Sequence, residues 1–175
     1  KALIIQEKTL LLSGLDGIYT YDIIRNKLKK SFDFKFTLKS FISHVSTPLR
    51  RLLREDVSIA ISIDEENILY VKNKMIVSLN LFKSKINFKI NIPRGSRPLN
   101  FLKMDLTSNF DEGIYFGEYF NNPKKDEVNI FKVENGKLKP VYIFKKNTIN
   151  HIHNLIFDKK RNCVWILAGD FGNGA

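Results

Sequence analysis

The chain has little of what most catalytic and metal-binding signatures require. Its 175 residues include one cysteine, one tryptophan, two methionines and three histidines. The lone Cys163 excludes an intrachain disulfide and a multi-cysteine metal site. Its setting, Cys163-Val-Trp-Ile-Leu167, reads as a strand with a core thiol. No apolar run approaches the ~20 residues that cross a bilayer. The longest, around Leu10-Leu-Leu12, is interrupted by Lys8, Ser13 and Gly14. No stretch beyond ~12 residues holds a helical period, which argues against alternating helices and strands. A glycine-rich phosphate loop, a nucleophile elbow, a His-Glu-x-x-His pair and an EF-hand loop are all missing. There is no signal-peptide pattern. The chain starts at Lys1 inside a strand-like run, and reads as mature, trimmed or cut from something longer.

Negative charge is also scarce. Eighteen Asp and Glu face 29 Lys and Arg, a formal net charge of +11. Such an excess suits nucleic acid, an anionic surface or a polyanionic glycan. The basic residues are spread, however, over Lys27, Lys29 and Lys30, Arg50, Arg51 and Arg54, Lys83 and Lys85, Lys124 and Lys125, and Lys159, Lys160 and Arg161. Most flank turns, and no basic helix or nucleic-acid motif accompanies them, so solvated loop charge is the better reading. Hydrophobic content of 43% and aromatic content of 12% exclude a disordered chain.

What is present is a succession of short alternating runs. Strands are expected at Ala2 to Ile5, Thr9 to Ser13, Ile18 to Ile23 and Ser31 to Leu38. The last sets Phe32, Phe34, Phe36 and Leu38 on one face, a period of two. Gly14-Leu-Asp-Gly17 and the polar Arg25 to Lys30 read as turns. Arg50 to Arg54, close behind Pro48, reads as a loop with limited helix. Strands resume at Val57 to Ile63, Ile68 to Val71, Met75 to Leu81 and Ile86 to Ile92. They continue at Phe101 to Leu106, Ile114 to Tyr119, Glu127 to Glu134 and Lys139 to Lys145, and end with His151 to Phe157 and Cys163 to Leu167. Asn135-Gly136 is a strong hairpin turn.

Roughly a dozen strands, with turn signals every eight to twelve residues, mean an all-β protein. A sandwich, a barrel and a propeller share that rhythm. Turn-and-strand groups recur at about 40–50 residues, the size of a four-stranded propeller blade. The expectation is one incomplete domain over 1–175, a partial β-propeller of about three to four antiparallel blades. The blades divide as 1–45, 46–98, 99–150 and the start of a further one at 151–175.

Several motifs carry a family resemblance. Arg97-Pro-Leu99, Ile114-Tyr-Phe-Gly-Glu-Tyr119, Asn122-Pro123, His151-Ile-His153, Asp158 and Trp165-Ile-Leu-Ala-Gly-Asp170 resemble sialidase-like propellers with BNR-type repeats. The likeness is best over 97–170 and looser over 1–96. That family's Ser/Thr-x-Asp-x-Gly-x-x-Trp turn has its nearest counterpart at Val133 to Lys137, which keeps a turn and lacks the aspartate and tryptophan. The resemblance implies a ring of six or seven blades, which this chain cannot close alone. The chain is then the first part of a longer propeller, a truncated product or a self-associating unit. As an open array it is expected to aggregate or oligomerise.

The rare polar groups gather where strands begin or end. His151 and His153, at i and i+2 of a strand, share one face about 7 Å apart. With Glu118, Asp158 and Asp170 they form a candidate catalytic or polar substrate cluster. A metal site and a structural hydrogen-bond network are the alternatives, and no metal or cofactor is assigned. Tyr119 and Arg97 are candidate substrate-binding residues; their plain alternatives are packing and a rigid Arg97-Pro98 turn. Sialidases pair a tyrosine nucleophile with a glutamate, but Glu118 and Tyr119 are adjacent in one strand and point to opposite faces. The family also needs three convergent arginines, for which Arg51, Arg54, Arg94 and Arg97 are available. Two functional readings follow. One is a sialidase-like propeller that binds or processes a glycan or polysaccharide. The other is a non-catalytic propeller scaffold for protein partners or self-association.

Overall fold

The computed structural model describes residues 1–6, 8–35, 56–105 and 110–169. These residues form fourteen strands and no helix. The first sheet holds β1 (Ala2–Ile5), β2 (Thr9–Ser13), β3 (Gly17–Asp22) and β4 (Lys27–Asp33). The second holds β5 (Ile59–Ser62), β6 (Asn67–Lys72), β7 (Met75–Asn80) and β8 (Lys85–Asn91). The third holds β9 (Leu102–Met104), β10 (Gly113–Gly117), β11 (Val128–Glu134) and β12 (Lys137–Phe144). A hairpin of β13 (Asn154–Asp158) and β14 (Cys163–Leu167) follows. In every sheet the strands lie side by side in chain order. Consecutive four-stranded antiparallel meanders are the blade construction of a β-propeller, so the chain is all-β and carries part of one.

Turn chemistry sets the registers. Asn135 and Gly136 both have positive φ, 49° and 74°, and join Glu134 to its partner Lys137. That is the two-residue hairpin turn the Asn-Gly pair predicts. Asn73 and Lys74, at 51° and 60°, close the same kind of turn between Lys72 and Met75.

Most strand bounds move by one or two residues. The strand expected over Ile114 to Tyr119 ends at Gly117, so Glu118 and Tyr119 follow it. Two expectations shift further. The turn expected over 25–30 is shorter, and β4 begins at Lys27. Asp22 Oδ1 accepts the N–H groups of Ile24 and Arg25, and Asn26 takes a φ of 52°. This asparagine-closed turn leaves the lysines free to enter the ladder. Phe36 and Leu38, placed with that strand, lie outside the described residues, as do Arg50 to Arg54. The strand expected from His151 starts instead at Asn154, so both histidines precede it.

The chain divides into two compact units, Lys1–Lys89 and Ile90–Ala175. In the first, Leu11 and Ile18 of one sheet pack with Ile68, Tyr70, Val77 and Leu79 of the next, and with Val57. β6 and β7 carry near-continuous buried runs, the pattern of strands covered on both faces. Each fully buried Ile or Leu contributes about 1.5–3 kcal/mol. In the second unit, Val128, Ile130, Ile152 and Leu155 form the core, flanked by Leu102, Tyr115, Phe120, Phe144, Val164 and Ile166. This core sits between the third sheet and the hairpin.

Candidate functional site

The polar groups singled out in the sequence meet, in part, on the second unit, just past the end of β10. Backbone pairing continues there: Glu118 N–H donates to Asn129 O (3.0 Å) and Ile152 N–H donates to Glu118 O (2.9 Å). The chain after β10 is thus held between the start of β11 and the segment leading into β13. Gly117 permits this closeness, because a Cβ there would overlap the Ile152 side chain.

Glu118 is 2% exposed, an unusual position for a carboxylate unless it is paired. Its Oε1 accepts from Arg94 Nε at 2.9 Å. Its Oε2 accepts from Arg94 Nη2, and from the backbone N and Nδ2 of Asn129, each at 2.8 Å. This is a two-pronged Arg–carboxylate pair reinforced by an asparagine that caps the same oxygen. The Arg94 guanidinium also lies 4.3 Å from the Phe120 ring centre, a cation–π contact. Gly95, at φ 76°, brings this loop against Tyr119 so closely that a Cβ would strike the Tyr119 carbonyl.

Tyr119 turns the other way from Glu118. Its ring meets His151 edge-on with centres 4.5 Å apart, and His153 at 5.5 Å; the two imidazoles are 4.8 Å apart. His151 Nδ1 donates to Phe120 O at 3.1 Å, and His153 N–H donates to Leu167 O at 2.7 Å. Asn122, 5% exposed, knits the segment together. Its Nδ2 donates to Asp126 O and Asn150 O, and its Oδ1 accepts from Asp126 N–H, all at 2.9 Å.

The structure therefore brings two segments together, with the Tyr119, His151 and His153 rings in contact and the Glu118 carboxylate bonded instead to Arg94 and Asn129. Asp158 is elsewhere. It sits at the far end of β13, some five residues or roughly 16 Å of strand from His153. There it accepts from Arg161 N–H (3.0 Å), Arg161 Nη1 (2.8 Å) and Trp165 Nε1 (3.3 Å). The Arg161 side chain, with that backbone N–H and Trp165, holds its carboxyl below the usual range. Arg97 is exposed, and Arg94 is the arginine of that loop that reaches a carboxylate. Asp170, Arg51 and Arg54 lie outside the described residues. Of the cluster's other members, Arg94 was one of four arginines the sequence offered and Asn122 stood in the Asn122-Pro123 motif without a role, while Asn129 was not singled out.

Chemically, both oxygens of the Glu118 carboxylate are taken up by four donors from within the protein. Among the described residues no group of three or more His, Cys, Asp or Glu could hold a metal ion. A separate cleft of about 290 Å³ opens in the first unit, with Ile4, Leu11, Thr20, Lys29 and Phe82 in its lining. No helix of the described residues is long and apolar enough to cross a membrane.

No protein-family model matches the chain, and no curated protein does. Among solved structures it is similar to the N-terminal domain of Nup159, at 11% identity and a TM-score of 0.42, over 82% of this chain and 30% of that one. It is also similar to a chain in a structure of S. cerevisiae Dbp5 bound to Nup159, Gle1, IP6 and ADP, at 9% identity and a TM-score of 0.45, over 89% of this chain and 35% of that one. The chain thus spans about a third of the length of either. A likeness of this degree decides neither fold nor partner; the sheet topology establishes the blade construction.

Proposed function

We infer that this chain is a non-catalytic propeller scaffold that binds protein partners, with the cluster around Glu118 acting as an internal staple. The observation that supports this most is the closure of Glu118 by Arg94 and Asn129. The best-placed carboxylate of the candidate site is buried and fully bonded within the protein. The competing reading is a sialidase-like propeller that binds or processes a glycan. It would have to work through the Tyr119, His151 and His153 rings, with Asp158 a strand's length away.

Fluorogenic sialosides and a panel of neutral and anionic glycans separate the two. The scaffold reading expects no turnover and no saturable glycan binding that responds to His153→Ala or Tyr119→Phe. Turnover abolished by Glu118→Gln, in a variant that stays folded, would overturn it.

A further inference from the structure

The two sheets of the first unit are tied together on both sides of the cleft between them. Where β1 lies against β5, Gln6 Nε2 donates to Ser62 Oγ at 3.5 Å. On the side of β4, Ser84 Oγ donates to Ser31 O at 2.7 Å. Between these ties a volume of about 290 Å³ stays open. One wall is a single cross-strand row of the first sheet. Ile4 pairs with Leu11, Leu11 with Thr20 and Thr20 with Lys29, so all four share a face. The row changes from aliphatic on β1 and β2, through a hydroxyl on β3, to a cation on β4. It spans three strand spacings, about 14 Å. The other wall carries Ile68, Leu81 and Phe82, with Glu65 in the turn that follows β5.

The polar groups of this cleft are not used up within the protein. Lys30 is held by Asp16 and Asp33. Its neighbour Lys29 has no acidic partner among the described residues, and Glu65 has no basic one. These two opposite charges line one cleft from its two sides and do not pair with each other. Thr20 and Ser31 share one hydrogen bond, at 2.7 Å between their hydroxyl oxygens. Two hydroxyl protons and one shared bond leave one proton to donate, and Ser31 is 6% exposed. Phe82, 76% exposed, forms an apolar lip.

We propose that this cleft receives an extended segment of a protein partner that carries a basic, a large apolar and an acidic residue at i, i+2 and i+4. The proposal rests on the scaffold reading and gives it a surface. Alternate residues of an extended chain share one face, and four steps of about 3.3 Å cover ~13 Å, the length of the row. The basic residue meets Glu65. The apolar residue covers Leu11, Ile68 and Phe82. The acidic residue meets Lys29, with the spare hydroxyl proton of the Thr20–Ser31 pair beside it. Cofactor-sized ligands occupy pockets of roughly 300–1,000 Å³, so this cleft lies at the small end and suits single side chains. A free anionic amphiphile answers Lys29 alone and sets its tail against the Glu65 carboxylate. A segment that carries both charges answers both.

The test uses the full chain and three synthetic peptides with a central phenylalanine and serines at the intervening positions. At i and i+4 the first carries arginine and glutamate, the second arginine and lysine, the third two glutamates. The parent chain should bind the mixed peptide saturably by fluorescence anisotropy, about tenfold more tightly than either of the others. Lys29→Glu should shift the preference to the all-basic peptide, and Glu65→Lys to the all-acidic one. Phe82→Ser should weaken all three with the folding transition unchanged, because the ring is exposed. No saturable binding of the mixed peptide, or a preference indifferent to both charge reversals, would overturn the proposal. So would hexanoate binding as tightly as the mixed peptide, which would make the occupant a free amphiphile. A concentration-dependent dimer lost on Lys29→Glu would overturn it too, by making a second copy the occupant. None of these results bears on glycoside turnover through Glu118, which tests the scaffold reading by itself.

Discussion

The two units bury their sheets by different means. In Lys1–Lys89 the interface between sheets is almost wholly apolar, with Ile18, Val57 and Leu79 at zero exposure. Its buried polar side chains, Ser31, Ser78 and Asn80, are uncharged and bond within or beside their own sheets. Charged groups such as Asp64, which accepts from the backbone of Glu66 and Asn67, stay at the turns. In Ile90–Ala175 an apolar core of the same kind is joined by buried polar side chains, Glu118 and Asn122, each making several bonds to neighbouring segments. The apolar interface spreads its stabilisation over many side chains. The polar staple concentrates it in a few, where loss of one partner strands the rest.

The sharpest way to break this contrast is Glu118→Ala. It leaves the Arg94 guanidinium and the Asn129 N–H without their shared acceptor. Removing one partner of a buried pair typically destabilises by about 3–5 kcal/mol, and a value near ~4 kcal/mol is expected by urea denaturation. A change below ~1 kcal/mol would mean the carboxylate is not holding the segment. In the first unit, Leu79→Ala should lower stability by about 3 kcal/mol through lost burial and the cavity left behind. It should leave the exchange of the Glu118 and Ile152 amides unchanged relative to global unfolding.

Asn122→Ala comes next, with a loss of about 2 kcal/mol for two orphaned carbonyls and one orphaned N–H. Amide exchange should rise locally at Asp126 and Ile152. A loss spread evenly over the chain would remove the staple's local character.

The smallest effect is electrostatic and lies in the first unit. Lys30 and then Tyr19 hydrogen-bond the Asp16 carboxylate and hold its pKa at about 2, against an ordinary 3.8. A folded-state pKa below the unfolded one stabilises the protein above pH ~4, and that contribution is lost as pH falls from ~4 to ~2. The site is exposed and screened by solvent, so Asp16→Asn should lower the Tm only slightly at neutral pH. The difference should vanish near pH 2. Persistence of the difference at pH 2 would exclude the carboxylate as its source.

Much of the fold was legible in the sequence because it depends on alternation and turn chemistry. Thr9–Ser13 and Cys163–Leu167 fall at their expected bounds, and Asn135-Gly136 forms the hairpin its residue types require. The start of β4 was not legible, because Lys27 and Lys29 look like turn residues and enter the ladder only through the Asp22 and Asn26 turn. The site was legible in its residues more than in its connections. Adjacency in sequence separated the faces of Glu118 and Tyr119, and the i, i+2 spacing brought His151 and His153 together. Nothing local tied Glu118 to Arg94, 24 positions earlier, or showed that Asn129 caps the same oxygen. Those partners are set by how the 93–98 loop returns across the end of β10, which no period or motif encodes.

The staple is tested most directly by a double-mutant cycle on its two charges. Unfolding free energies would be measured for the parent chain, Arg94→Met, Glu118→Gln and the double variant. A stapling pair predicts strong non-additivity, with a coupling of about 1.5 kcal/mol or more and the double variant less damaged than the sum of the singles. Additive losses within ~0.5 kcal/mol, with Glu118→Gln as stable as the parent, would contradict it and return Glu118 to the list of groups available for chemistry.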